Sequence, residues 1–136
     1  MKGILLEVVT PERKVYSREV EMVIARAIDG DIGVLRGHTP LVTALQPWVL
    51  RARIEENEER MAVSGGFMEV TPEKITILAE TAELASEIDV ERAKSARQRA
   101  EARLAGEGLD DEETDQIRAE AALRRAMARL RAVGIE

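Results

Sequence analysis

The chain contains no cysteine, which excludes disulfides and thiolate chemistry and is compatible with a reducing compartment. It has a single histidine, His38, so a histidine-based metal cluster cannot form within one chain. Aromatic residues are almost absent. Tyr16, Trp48 and Phe67 are the whole set, and the core must be built from aliphatic side chains. No apolar run approaches the length of a transmembrane helix. The opening Met1-Lys2-Gly3-Ile4-Leu5-Leu6-Glu7 meets charge too soon to read as a signal peptide. Positive charge is in deficit: the formal net charge is −6, and nucleic acid is not an expected partner on bulk charge.

What is present is 136 residues with 45% hydrophobic and 34% charged side chains. That mix supports a folded core. Proline and glycine are unevenly spread. All four prolines and six of the nine glycines precede residue 87, as do the three aromatics. Beyond it the chain is rich in Ala, Arg and Glu. The shift predicts two modules, residues 1–86 and 87–136, with the boundary near Ala85 to Asp89.

The first module reads as short strands. Val20, Met22 and Ile24 alternate with polar neighbours, as do Leu50, Ala52 and Ile54, and Thr76 separates Ile75 from Ile77. A period of two places each set on one buried sheet face. Turn signals fall between the runs at Thr10-Pro11-Glu12, Asp29-Gly30-Asp31, Gly37-His38-Thr39-Pro40, Glu56-Asn57-Glu58 and Thr71-Pro72-Glu73. Many short strands with regular turns predict an antiparallel β-sandwich. Gly30, Gly33, Gly65 and Gly66 mark sites of positive φ or close backbone approach.

The second module reads as two helices. Asp89 is placed to cap the first, which runs to about Ala105 before Gly106-Glu107-Gly108 breaks it. Asp110 or Asp111, with Glu113 or Thr114 near the third position, can cap the second. That helix runs to about Val133 and ends at Gly134. Ala93, Ala96, Ala100 and Leu104 form one stripe. Ala119, Ala122, Leu123, Ala126, Leu130 and Val133 form the other. Small residues on both predict an antiparallel hairpin. The fold expected is therefore α+β, a β-sandwich followed by a two-helix hairpin. Alanine seams bury little apolar area, so the hairpin should open easily.

Three stretches of this sequence resemble one family. They are Val8-Val9-Thr10-Pro11 with Val15-Tyr16, the run Gly30-Asp31-Ile32-Gly33-Val34-Leu35-Arg36-Gly37-His38-Thr39-Pro40-Leu41, and Val63-Ser64-Gly65-Gly66-Phe67-Met68-Glu69-Val70. The family is the epsilon subunits of bacterial rotary, proton-translocating (F-type) ATP synthases, and the similarity continues through both helices. Arg36 departs from the family, which more usually has proline there. The resemblance implies a non-catalytic subunit of the central stalk, peripheral on the cytoplasmic face of the plasma membrane. Its sandwich would bind the gamma subunit and the c-ring. Its hairpin would either lie folded or extend along gamma towards the alpha and beta subunits and inhibit ATP hydrolysis. His38, in a turn beside Pro40, reads as a loop histidine at a subunit contact.

Ile88-Asp89-Val90-Glu91-Arg92-Ala93 is similar to the motif that marks ATP-binding members. Asp89 and Arg92 share a helix face, as do Arg92 with Arg99 and Arg125 with Arg129. Guanidiniums gathered at one point repel unless an anion lies between them, and a triphosphate suits their forked hydrogen bonding. By resemblance Arg92, Arg99, Arg125 and Arg129 face the phosphates of ATP, a regulatory ligand with or without Mg²⁺. Glu83, Ile88, Asp89 and Ala93 surround its base and ribose. Arg97, Arg103, Arg118, Arg124 and Arg131 read as solvated or loosely paired. With the hairpin extended, Arg92, Arg99, Arg125 and Arg129 could meet acidic residues of the beta subunit, a use compatible with nucleotide binding because it belongs to a different state. There is no phosphate-binding loop, no nucleophile–base pair and no catalytic cofactor motif, so hydrolysis is not expected of this chain. The competing reading is a free-standing ATP-binding sensor of the same fold.

Overall fold

The computed structural model describes residues 3–106 and 113–135. Ten strands come first. They are β1 (Ile4–Val9), β2 (Lys14–Val20), β3 (Met22–Ala27), β4 (Gly30–Leu35), β5 (Leu41–Leu45), β6 (Trp48–Ile54), β7 (Asn57–Val63), β8 (Gly66–Val70), β9 (Lys74–Ala79) and β10 (Ala82–Leu84). A short 3-10 turn, Ala85–Glu87, leads into α1 (Val90–Leu104), and α2 (Glu113–Ala132) completes the fold. The strands hydrogen-bond in the order β10-β7-β6-β3-β5-β8-β9-β1-β2, with β4 beside β3. All pairings are antiparallel except β1 with β9, which is parallel. The two halves of this ladder face each other as the sandwich that the sequence predicts, across a core of Ile4, Leu6, Val8, Leu50, Met61, Met68, Ile75 and Ile77.

The alternation expected at Leu50, Ala52 and Ile54, and at Ile75 and Ile77, is realised: these side chains pack in the core. The Val20-Met22-Ile24 alternation is not. Val20 is buried, but the chain bends at Glu21, and the phase changes. Val23 and Ala25 point into the core, while Met22 and Ile24 turn to the opposite face. A one-residue offset between two strands exchanges faces wholesale, and a period-two pattern read across a bend misassigns the second strand.

The hairpin turns are tighter than the composition suggests. Asn57 already pairs with Ile54, so the β6–β7 turn is Glu55-Glu56, not Glu56-Asn57-Glu58. Glu55 takes φ 56, uncommon for a residue with a Cβ. Its amide donates to Glu21 Oε1 at 2.6 Å, which helps to hold that conformation. Gly66 starts β8 with φ 133, and a Cβ there would stand 2.0 Å from the Leu78 carbonyl oxygen. Only glycine lets β8 enter between β5 and β9 at that point.

Both helices have readable ends. Asp89 caps α1 by accepting the Arg92 amide at 3.1 Å. Beyond α2, Gly134 donates to Arg131 O and Ile135 to Leu130 O, with Gly134 at φ 86. That pair of bonds is a Schellman closure. The cap expected at Asp110 or Asp111 lies outside the described residues. The predicted alanine stripes face each other along the hairpin: Ala93, Ala100, Ala119, Ala126 and Leu130 are buried. Helix α2 buries a second line of residues as well. Ala128 and Ala132 lie with Ile88 and Ala62, which seats the hairpin on the outer face of β6 and β7. No helix among the described residues is long and apolar enough to cross a membrane.

Candidate functional site

Strand β10 runs along the sheet edge through β7, then turns under α2 into α1. This crossing gathers several of the residues singled out from sequence. Arg129 Nε donates to Glu83 Oε1 at 2.6 Å, and both side chains are about one-third exposed. It is the charge-assisted bond that ties α2 to the sandwich. Ile88 is buried beneath α2 beside Ala128 and Ala132. Arg125, one turn before Arg129, lines the same cleft with Ser64 and Thr81. Ser64 and Thr81 are themselves locked together: the Thr81 amide donates to Ser64 Oγ at 2.9 Å, and the Ser64 amide to Thr81 O at 3.1 Å.

The remaining candidates lie on α1. Asp89 is occupied as the N-cap. Ala93 is buried in the seam between the helices. Arg92 and Arg99 are exposed. Among the described residues, the side chains of Arg92, Arg99 and Arg125 form no ion pair or hydrogen bond, whereas Arg129 is neutralised by Glu83. Sequence reasoning placed Glu83 and Arg129 at opposite ends of a ligand; here they touch. The cleft between Glu83, Arg125 and Arg129 has a volume of about 10 Å³, room for a single water at most. A nucleotide needs several hundred Å³, so occupation requires α1 and α2 to shift or the Glu83–Arg129 bond to open.

One arginine read as solvated is not. Arg131 is half-buried, with its guanidinium carbon 4.2 Å from the Trp48 ring centroid. Arg26 lies over the same ring at 4.1 Å and is paired with Asp31 at 3.0 Å. The available signal was Trp48 itself, the one tryptophan, at the head of a strand carrying Arg51 and Arg53. Arg97, read as solvated or loosely paired, is half-buried and loosely paired with Glu101 at 3.7 Å. On α2, Arg129 and Arg131 are set apart by contact with the sandwich, which a helix read alone does not reveal.

A second surface lies on the far side of the sandwich. Phe67 of β8 and Leu78 of β9 are cross-strand partners and are 57% and 52% exposed; Val42 of β5 is 68% exposed. Beside them Val9, Thr10 and Pro11 frame an apolar cleft of about 550 Å³. Exposed apolar clusters of this kind mark contact surfaces. His38 sits in the turn after β4, its amide bonded to Leu35 O and its Nδ1 2.7 Å from Thr39 O. Among the described residues no three or more acidic or histidine side chains gather as a metal site.

Comparison with known proteins gives a consistent result along the chain. Residues 4–85 match the family model for the ATP synthase delta/epsilon chain β-sandwich domain, and residues 86–134 match that for its long α-helix domain. The ATP synthase epsilon chain of Brevibacillus brevis is 60% identical over 105 residues, covering 76% of this chain and 80% of the relative. That of Alkalihalophilus pseudofirmus is 51% identical over 104 residues, covering 76% and 78%. A chain in a Euglena gracilis mitochondrial ATP synthase (OSCP/F1/c-ring in rotational state 1) superposes with a TM-score of 0.79 at 27% identity, covering 97% of this chain and 81% of the other. With a sandwich followed by a hairpin, and the two family models matching adjoining stretches that cover residues 4–134, the chain belongs to the family of ATP synthase epsilon chains.

Proposed function

We propose that the chain is a non-catalytic central-stalk subunit of an F-type ATP synthase at the cytoplasmic face of a bacterial plasma membrane. Its sandwich joins the gamma subunit to the c-ring. Its hairpin, when undocked, reaches towards the alpha and beta subunits and restrains ATP hydrolysis. ATP, alone or with Mg²⁺, binds the docked hairpin and holds it down. The exposed Val42, Phe67 and Leu78 face supports a protein partner on the side away from the helices.

The observation that carries the reading is how α2 rests on the sandwich. The contact consists of a few apolar side chains, Ala128 and Ala132 against Ala62 and Ile88, one half-buried ion pair, Glu83–Arg129, and Arg131 resting on the Trp48 ring. Such a contact is weak and separable, as a two-state arm requires. Arg92, Arg99 and Arg125, without side-chain partners among the described residues, are available to a triphosphate. If ATP binds the docked state better, it shifts the population towards that state.

A nucleotide titration of the isolated chain tests the ligand. Wild type should bind ATP in preference to GTP and ADP. The double substitution Asp89→Ala with Arg92→Ala should weaken binding roughly tenfold to a hundredfold, as loss of a charge-assisted bond worth about 1.5–3 kcal/mol predicts. Arg103→Ala, on an exposed stretch of α1, is the control; half-buried Arg97 would be a poor one. Equal weakening by Arg103→Ala and Arg92→Ala would reduce the site to a diffuse charge cloud. Failure of the wild type to bind ATP at millimolar concentration would leave a mechanical brake without a sensor.

A further inference from the structure

The cavity between the sandwich and the C-terminal end of α2 is about 300 Å³ in volume, and it is lined by Arg26, Asp31, Trp48, Arg51, Arg60 and Arg131. This is a strongly cationic lining for a chain of net charge −6. Its carboxylates do not balance it. Asp31 is committed to Arg26 at 3.0 Å. Glu58 serves both Arg60 at 3.3 Å and Arg51 at 3.7 Å. Arg131 has no carboxylate among the described residues: its Nε is buried without a hydrogen-bond partner, and its guanidinium rests on Trp48. Four guanidiniums thus share two carboxylates.

We infer that this cavity is a second anion site, taking a small phosphate-class polyanion of pyrophosphate size. Guanidinium forks match the oxygens of a phosphate, and a partly enclosed site strengthens such bonds. The Trp48 ring holds Arg26 and Arg131 at the cavity wall by cation–π contact. The negative end of the α2 dipole opposes an anion here, but Gly134 and Ile135 already occupy the Arg131 and Leu130 carbonyls, and that opposition is blunted. Arg26, Arg51 and Arg60 come from strands, Arg131 from α2. The site is therefore complete only while the hairpin is docked, and an occupant stabilises docking by mass action. The inference rests on the docked hairpin and not on nucleotide binding at Asp89 and Arg92.

Trp48, as the sole tryptophan, reports from inside the site. Pyrophosphate is titrated into the full chain, with sodium chloride holding ionic strength constant, while Trp48 emission is followed. A saturable change is expected. Arg60→Gln and Arg131→Gln should each raise its midpoint at least tenfold; Arg103→Gln should not. Arg60 lies on β7, so its variant does not depend on α2 remaining seated. The Asp89→Ala, Arg92→Ala chain should respond like wild type. A change reproduced by chloride alone, an unaltered midpoint in Arg60→Gln, or loss of the response in the Asp89→Ala, Arg92→Ala chain would overturn the proposal. A wild type that answers pyrophosphate but binds no ATP would remove the nucleotide reading and leave this one standing.

Discussion

At the residue scale, the charge that matters most to the sandwich is Glu7. Its side chain is buried on β1 between Lys14 of β2 and Lys74 of β9, each ammonium 2.5 Å from a carboxylate oxygen. The Lys14 and Lys74 bonds hold its pKa near 2, below the ordinary 4.5. A carboxylate with a depressed folded-state pKa stabilises fully above its unfolded value and loses that contribution as pH falls through the folded one. The stability gap between wild type and Glu7→Gln should therefore be constant from neutral pH to about 4.5 and close between there and about 2. Chemical denaturation across that range measures it; a gap that survives at pH 2 would show that Glu7 acts by packing alone. Gly66 is the other decisive residue. Gly66→Ala would set a Cβ 2.0 Å from a backbone oxygen at positive φ, and should destabilise by more than about 2 kcal/mol in the same experiment. A loss below about 0.5 kcal/mol would mean that β8 shifts freely.

At the scale of elements, α2 is the part whose role the tertiary structure changes. It reads from sequence as one half of a hairpin, yet it has two buried faces. Ala119, Ala126 and Leu130 meet α1, while Ala128 and Ala132 meet the sheet. Ala128 is 1% exposed, so Ala128→Glu would bury an unpaired charge against apolar residues, and undocking is the cheaper response. Amide exchange in α2 should accelerate and Trp48 emission should change as Arg131 leaves the ring. Exchange across β1, β8 and β9 should stay as slow as in wild type. Unchanged α2 protection would place the docking energy elsewhere.

At the scale of the whole molecule, the two modules have separate cores. The large cluster draws only on sandwich residues, and the contact under α2 is a small second cluster. A chain ending at Glu87 should consequently fold and unfold cooperatively, with a melting temperature only a few degrees lower. Non-cooperative melting of that chain would show that the hairpin is part of the sandwich's stability.

Much of this architecture was legible along the chain because it depends on local periodicity. The change from period two to helical spacing near residue 87, the alanine stripes, the Asp89 cap and the stop at Gly134 follow from backbone geometry acting over a few residues. Of the candidate residues, Ile88, Asp89, Arg92 and Ala93 were singled out by a motif-like run, and Glu83, Arg99, Arg125 and Arg129 by resemblance alone. Their arrangement was not legible: Glu83 and Arg129 are 46 positions apart, and no spacing rule joins them. The face exchange at Glu21 and the one parallel pairing likewise depend on which strands become neighbours. The sequence by itself determined the division into a strand-rich and a helical module and the helix ends at Asp89 and Gly134, because those are short-range steric and hydrogen-bonding choices. Only the tertiary structure decided which charges meet across modules, that Arg131 lies on Trp48, and that α2 carries a second buried face, because burial and electrostatic pairing are set by residues far apart in the chain.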